Sequence, residues 1–169
     1  MGSTNAQCFA INYPAQTRAL VLVASFASFD KPSITEFKKV IDGLDDPVDS
    51  LFIAEFQKST FTRPVSAKML QGVIDESRKV PAHVWKGVAA GWSTAAYTEE
   101  LQTFKKPVLI IWGDQDAYSL KEDQLILNKA IRNSTLIIYE GTGHANHWEE
   151  PVRFANDIAR FILEADKKK

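Results

Sequence analysis

The sequence predicts an α/β protein in which a parallel β-sheet carries helices on its faces. Three apolar runs are typical of strands covered on both faces, and they occupy residues 18–24, 107–112 and 135–139. Amphipathic helical patterns follow the second and third runs. This alternation of strand and helix indicates right-handed crossovers and parallel strands.

Composition and charge exclude several classes of protein. The 169 residues are enough for one domain with its own core, and 45% hydrophobic and 24% charged residues are ordinary for a globular protein. A net charge of −1 gives no electrostatic reason to bind nucleic acid or a membrane surface. No stretch approaches the roughly 18 apolar residues of a membrane span. Cys8 is the single cysteine and no secretory leader is recognisable, so we expect a cytoplasmic protein.

Residues 1–25 are interpreted as one helix followed by the first strand of the sheet. Residues 4–13 predict the helix, because apolar side chains recur there at helical spacing. Pro14 is expected to end it, since the residue before a proline avoids the helical conformation. The continuous apolar run from Arg18 to Ala24 then predicts a buried strand.

Residues 26–104 predict a helical cap inserted between two core strands. Asp46 with Pro47 indicates the start of one helix, Ser66 is a second helix cap, and Pro81 opens a third helix. We expect the aromatic residues of this segment to pack mainly between cap helices and some of them to line a substrate pocket. These aromatic residues are Phe52, Phe56, Phe61, Trp85 and Trp92.

Residues 105–169 predict two strands, each followed by a loop and a helix. The helices are expected at about 121–131 and 151–165. The apolar residues placed on the inner side of the last helix are Val152, Phe154, Ala155, Ile158, Phe161 and Ile162. Ligands of parallel sheets bind beyond the carboxyl ends of the strands, so the two loops lie where a site is expected.

These loops carry an acid and a base. Gly-Asp-Gln-Asp occupies 113–116 and Gly-Thr-Gly-His occupies 141–144. A carboxylate can orient a histidine that deprotonates a nucleophile, so Asp114 or Asp116 together with His144 forms two thirds of a catalytic triad. His147 lies at helical spacing from His144, but no third ligand accompanies this pair, and we predict no metal site.

Three segments resemble the α/β-hydrolase family: residues 9–25, the Gly-x-x-Asp loop at 113–116 and the histidine loop at 141–151. The resemblance implies an α/β-hydrolase-type parallel sheet with flanking helices, N-terminal strands missing and a helical cap inserted. It favours Asp116, the third residue after Gly113, as the triad acid and His144 as the base. No cofactor is implied.

Met1-Gly2 resembles the text that follows the nucleophile in a Gly-x-Ser-x-Gly elbow. In that register the nucleophile would stand one residue before Met1, and the backbone N–H of Met1 would form part of the oxyanion hole. Ser3 is no substitute, because it lies on the wrong side of Gly2 and would begin the helix. We therefore expect the C-terminal part of a hydrolase, beginning just after its nucleophile and inactive alone.

The resemblance implies transfer of an acyl group from a small ester-like substrate to water. The missing nucleophile motivates an alternative, a non-catalytic binding or interaction module, which would have no chemical need for both Asp116 and His144. The expected protein partners are a missing N-terminal half or a second copy that pairs with the open edge of the strand at 19–24.

Overall fold

The computed structural model describes residues 1–167, so the last two residues of the predicted 105–169 segment lie outside the described residues. The strands are β1 (Leu20–Val23), β2 (Val108–Gly113) and β3 (Ser134–Tyr139). The helices are α1 (Gly2–Asn12), α2 (Pro32–Asp42), α3 (Ser50–Ser59), α4 (Ala67–Arg78), α5 (Ala82–Gly91), α6 (Thr98–Leu101), α7 (Lys121–Ala130), α8 (Asn146–Glu149) and α9 (Pro151–Lys167). A 3-10 turn spans Trp92–Thr94.

The described strands form a parallel sheet in the order β1-β2-β3. The predicted parallel sheet with flanking helices is thus confirmed, and each strand lies within two residues of its predicted bounds. In the register, Leu20 pairs with Val108 and Gly113 pairs with Tyr139. The last pairing aligns the carboxyl ends of β2 and β3, which brings the two polar loops together.

Strand β2 is the centre of the sheet, and all six of its residues are buried. Val108 and Ile110 face a cluster that includes Ala10 of α1 and Leu127 of α7. Leu109 and its alternate neighbours face the opposite cluster, where α9 packs. Because successive strand side chains point to opposite faces, this uninterrupted apolar sequence suits a strand covered on both sides.

Helix α1 ends just before Tyr13, in agreement with the predicted stop at Pro14. Its buried side chains are Thr4, Gln7 and Ala10. Gln7 donates from Nε2 to Ser25 Oγ at 2.7 Å, so a polar bond ties α1 to the segment that leaves β1. Among the described residues β1 pairs with β2 alone, and its other edge is open.

Between β1 and β2 the described chain forms only helices and turns, as the sequence predicts. The helix expected at Asp46-Pro47 instead begins at Ser50, with Asp49 as its N-cap, so that prediction was wrong by one turn. Asp46 has another role, because its Oδ1 accepts from the backbone N–H of Ala82 at 2.6 Å. Its carboxylate therefore satisfies the first turn of α5, which has no side-chain cap of its own.

The inner side of α9 is narrower than predicted. Phe154, Ile158 and Phe161 pack against the sheet as expected. Val152, Ala155 and Ile162 are exposed, so their predicted inward position was wrong. A single helix against one sheet face covers only one stripe of side chains, and the i, i+4, i+7 set fills it.

We predict that Asp46→Ala destabilises the helical segment. Removing a carboxylate that accepts from the first turn of a helix costs about 1 kcal/mol. Thermal or urea unfolding measures the loss. Asp45→Ala is the matched control, because Asp45 is an exposed neighbouring carboxylate; equal losses in the two variants would contradict the capping role.

Candidate active site

The site is built where β2 and β3 end. The acid loop (residues 114–120) follows β2. After β3, residues 140–145 form the histidine loop, which contains the irregular part of the predicted 141–151 segment and precedes α8. Gln115 donates its backbone N–H to Thr142 O at 2.9 Å, and Asp114 donates its N–H to Tyr139 O at 3.1 Å. The first bond joins the two loops directly, and the second ties the acid loop to the last residue of β3.

Gly113 permits this close approach. A Cβ at that position would lie 2.3 Å from Thr142 O and 2.4 Å from Gly143 O, which is far inside van der Waals contact. Gly141 serves the turn itself, because its φ of +68° lies in the left-handed region that favours glycine. Both positions therefore favour glycine, Gly113 because a Cβ would clash and Gly141 because of its backbone conformation.

Asp116 is buried and fully hydrogen-bonded. Its Oδ1 accepts from the backbone N–H groups of Tyr118 at 2.8 Å and Ser119 at 3.1 Å. Its Oδ2 accepts from Ser119 Oγ at 2.6 Å and lies 2.9 Å from His144 Nδ1. Four contacts fix the carboxylate in one orientation, toward the imidazole.

The two aspartates of the acid loop have different positions. Asp114 accepts the backbone N–H of Gly141 at 2.6 Å and so holds the start of the histidine loop. Asp116, rather than Asp114, contacts His144. Sequence reasoning missed Ser119, although a serine three residues after an aspartate in a turn is a signal for this kind of local bond.

His144 presents its other nitrogen to a cavity. Its side chain is 30% exposed, while the Asp116 side chain is completely buried. Since Nδ1 faces the carboxylate, Nε2 is the nitrogen left for a group in the cavity. The ring of Tyr118 lies edge-on to the imidazole, with 5.3 Å between ring centres.

A carboxylate attaches the helical cap to the histidine loop. Glu149 Oε1 accepts the backbone N–H groups of Gly143 at 2.9 Å and Thr62 at 3.1 Å. Its Oε2 accepts the N–H of Arg63 at 2.9 Å. Ala145 donates its N–H to Thr60 O at 3.0 Å, so cap residues 60–63 are fixed on the loop that carries His144.

The Arg63 guanidinium strengthens the same junction. It donates to Gly141 O at 3.0 Å and to Glu140 O at 2.6 Å, and it forms an ion pair with Glu150 at 2.5 Å. No feature of the sequence singled out Arg63 or Glu149. Their role depends on two segments more than 75 residues apart, as the separations of these bonds show.

The cavity in front of His144 has a volume of about 410 Å³. It lies between the cap and the carboxyl end of the sheet, and its walls come from the segment after β1, helices α2 to α5 and the acid loop. Of the five cap aromatics named from the sequence, Phe56, Trp85 and Trp92 line it. Phe52 packs in the cap core, and Phe61 stacks on Trp148.

Met1 lies on the wall of the same cavity as His144 and precedes the first turn of α1. This placement is compatible with the position expected for an oxyanion donor. Ser3 is inside α1, as expected for a residue that begins the helix, and its Oγ has no hydrogen-bond partner among the described residues.

His147 is partly buried beside the site. Its ring centre lies 4.7 Å from that of Trp148 and 5.7 Å from that of Phe154. Burial lowers the pKa of the His147 imidazole below its ordinary value, and the neighbouring His144 lowers that pKa further. Within residues 1–167 no cluster of three or more His, Cys, Asp or Glu side chains suits a metal ion.

We predict that Glu149→Gln loosens the junction between cap and histidine loop. The amide replaces one acceptor oxygen by a donor, and the expected loss of unfolding free energy is about 1–2 kcal/mol. Hydrogen exchange should accelerate at the amides of Thr62, Arg63 and Gly143. Glu36→Gln is the control, since Glu36 is an exposed partner of Lys39 on α2; unchanged exchange at the three amides would refute the assignment.

We predict that His147 titrates below the ordinary histidine value of about 6.5. The unfolded chain then binds the proton more tightly, so stability is complete above about pH 6.5 and declines as the pH falls below it. NMR titration of the imidazole measures the midpoint. His147→Gln should reduce the loss of thermal stability between pH 6.5 and 5, whereas His83→Gln, at an exposed position on α5, should not.

Comparison with known proteins places the chain in a family. The alpha/beta hydrolase fold family matches residues 1–151. A 2-hydroxy-6-oxononadienedioate/2-hydroxy-6-oxononatrienedioate hydrolase of Burkholderia vietnamiensis is 26% identical over 96% of this chain and 59% of that protein. The mouse monoacylglycerol lipase ABHD6 is 26% identical over 96% of this chain and 52% of its own length.

Solved structures agree on the fold. The enol-lactonase from Burkholderia xenovorans LB400 matches with a TM-score of 0.82 and 16% identity, covering 96% of this chain and 63% of that one. The chain spans about 59% of the length of the Burkholderia vietnamiensis hydrolase. Within residues 1–167 no helix is long and apolar enough to cross a membrane. The match over residues 1–151, with the parallel sheet and its flanking helices, establishes that this chain belongs to the alpha/beta hydrolase fold family.

Proposed function

We propose that this chain supplies the acid and the base of an ester-type hydrolase, with Asp116 as the acid and His144 as the base. The observation that carries the proposal is the 2.9 Å contact between His144 Nδ1 and the buried Asp116 carboxylate. The curated relatives reported above are hydrolases by name, which supports the same reaction class.

The proposed chemistry follows from this pair. Asp116 holds the Nδ1–H tautomer, which leaves Nε2 unprotonated toward the cavity and able to take a proton from a nucleophile. The carboxylate then stabilises the imidazolium that forms. The imidazolium gives this proton to the leaving alcohol as the ester bond breaks and the acyl group passes to the nucleophile. The neutral His144 then takes a proton from a water molecule, whose attack on the acyl group releases the acid product and restores the nucleophile.

The nucleophile is proposed to come from polypeptide outside residues 1–169, next to Met1 in the elbow register. The backbone N–H of Met1 is proposed as one oxyanion donor, and its place on the cavity wall with His144 supports this. Among the described residues, the edge of β1 that faces away from β2 has no partner strand. This open edge supports assembly there with a preceding segment or a second chain.

We predict that the DNA upstream of the Met1 codon reads in frame into a Gly-x-Ser elbow, and that the extended chain hydrolyses 4-nitrophenyl esters. Because His144 would take the proton and Asp116 would only orient and stabilise the imidazole, Asp116→Asn should lower kcat about 10⁴-fold and His144→Ala about 10⁶-fold. The 169-residue chain alone should show no turnover above background.

His83→Ala is the control for loss of a histidine, because His83 is exposed on α5. Full activity of His144→Ala in the extended chain would refute the proposed base. If the extended chain binds esters without hydrolysing them, the non-catalytic binding module becomes the better description.

A further inference from the structure

The cavity in front of His144 is lined almost wholly by hydrocarbon. No lysine, arginine, aspartate or glutamate among residues 1–167 lines it. Its hydroxyl side chains are Thr60, Ser77 and Tyr118, and its other polar side-chain groups besides His144 are the indole N–H groups of Trp85 and Trp92. Binding of an apolar ligand in such a cavity is favourable, because it removes apolar surface of the ligand and of the walls from water. The volume of about 410 Å³ suits a small ligand.

An unbroken series of aromatic rings leads from the proposed base into the cap. Tyr118 lies 5.3 Å from His144, and Phe56 lies 6.0 Å from Tyr118, measured between ring centres. Trp85 of α5 follows at 5.4 Å from Phe56. The part of the cavity farthest along this series is therefore walled by α5, including Val84 and Val88.

The hydroxyl side chains on the wall already have partners within the protein. Thr60 Oγ1 donates to Gln57 O at 2.7 Å, and Ser77 Oγ accepts from Gln57 Nε2 at 2.7 Å. The Tyr118 hydroxyl shares a hydrogen bond with Ser59 Oγ at 2.5 Å. Of these three hydroxyls, Ser77 alone has no acceptor for its proton among the described residues, and a single neutral donor does not replace a counter-ion.

The Met1 terminal ammonium lies at the His144 end of the wall, since Met1 and His144 also line a neighbouring cavity together. A lysine ammonium near the wall, that of Lys31, is committed elsewhere. Lys31 Nζ lies 5.8 Å from the ring centre of Phe26, which forms part of the wall. That ammonium is paired with the carboxylate of Asp123, which is 1% exposed. Among the described residues that line the α5 end there is no cation, so a carboxylate placed there would lose part of its hydration against apolar walls without gaining a counter-ion, which is unfavourable.

We infer that the substrate group bound beneath the cap is an uncharged hydrocarbon acyl group, as in the ester of a medium-chain monocarboxylic acid. The inference rests on the proposed function for the reaction, but the selectivity arises from the cap. It sets this chain apart from a dioate hydrolase, because a dioate substrate would carry its second carboxylate into the apolar α5 end.

The test compares methyl octanoate with monomethyl suberate, which has the same number of chain carbons and a carboxylate in place of the terminal methyl group. Binding is read from the indole N–H signals of the ¹⁵N-labelled 169-residue chain with its terminal amine acetylated, so that Met1 offers no cation to a carboxylate. Methyl octanoate should shift Trp85 and Trp92, which line the cavity, and leave the core residue Trp112 unshifted. From methyl butanoate to methyl octanoate the affinity should rise about fourfold per methylene. Monomethyl suberate should bind at least tenfold more weakly than methyl octanoate, since its carboxylate has no partner in the cavity.

Val84→Lys places a cation at the α5 end, where Val84 is 41% exposed and the helix accepts a lysine. It should reverse the preference and favour monomethyl suberate. Val40→Lys is the matched control, because Val40 is exposed on α2 and does not line the cavity; it should retain the preference for methyl octanoate.

Equal affinity of the unaltered chain for the two esters, or binding that shifts neither Trp85 nor Trp92, would overturn the inference even if Val84→Lys failed to fold. The measurement needs no turnover, so it is independent of the acid–base pair. Octanoate binding together with an inactive extended chain would refute the proposed reaction alone. Hydrolysis by the extended chain without discrimination between the esters would refute the selectivity alone.

Discussion

The contact between the ends of β2 and β3 is the constraint on which the site depends. Gly113 lets the carbonyl groups of Thr142 and Gly143 approach to distances that any Cβ would prevent. One backbone hydrogen bond and the Asp114 carboxylate then join the loops, and a second backbone bond ties the acid loop to the end of β3. Because these bonds fix one loop against the other, the separation of Asp116 and His144 is determined by the backbone before either side chain contributes.

The same histidine loop also carries the cap. Glu149 and Arg63 bind cap residues 60–63 to the loop, and Phe56, only one turn earlier in α3, reaches the cavity wall. His144 and one wall of the cavity therefore share a single attachment. A displacement of the cap would move the loop that holds His144, so the shape of the cavity and the position of the proposed base are mechanically linked.

The sequence predicted the sheet because its signals are local. An uninterrupted apolar run between turn residues indicates a buried strand, and β2 is buried at every position. The acid and base motifs were equally local. The starts of helices were harder to predict. Asp46-Pro47 has the composition of a helix start, yet the Asp46 carboxylate accepts from the N–H of Ala82 in α5, 36 residues away. Helical periodicity also could not tell which apolar residues of α9 face solvent, because that depends on the partner surface.

The two parts of the site differ in how the sequence encodes them. Backbone contacts at glycines hold the loops of Asp116 and His144, whereas the cavity takes its character from side chains on α2, α3 and α5. Exchanging a cavity-lining side chain on these helices alters volume or charge beneath the cap without removing a contact at Gly113 or Gly141. For the proposed hydrolase, specificity is best sought in the walls of the cap, and catalytic competence in the junction of the two loops.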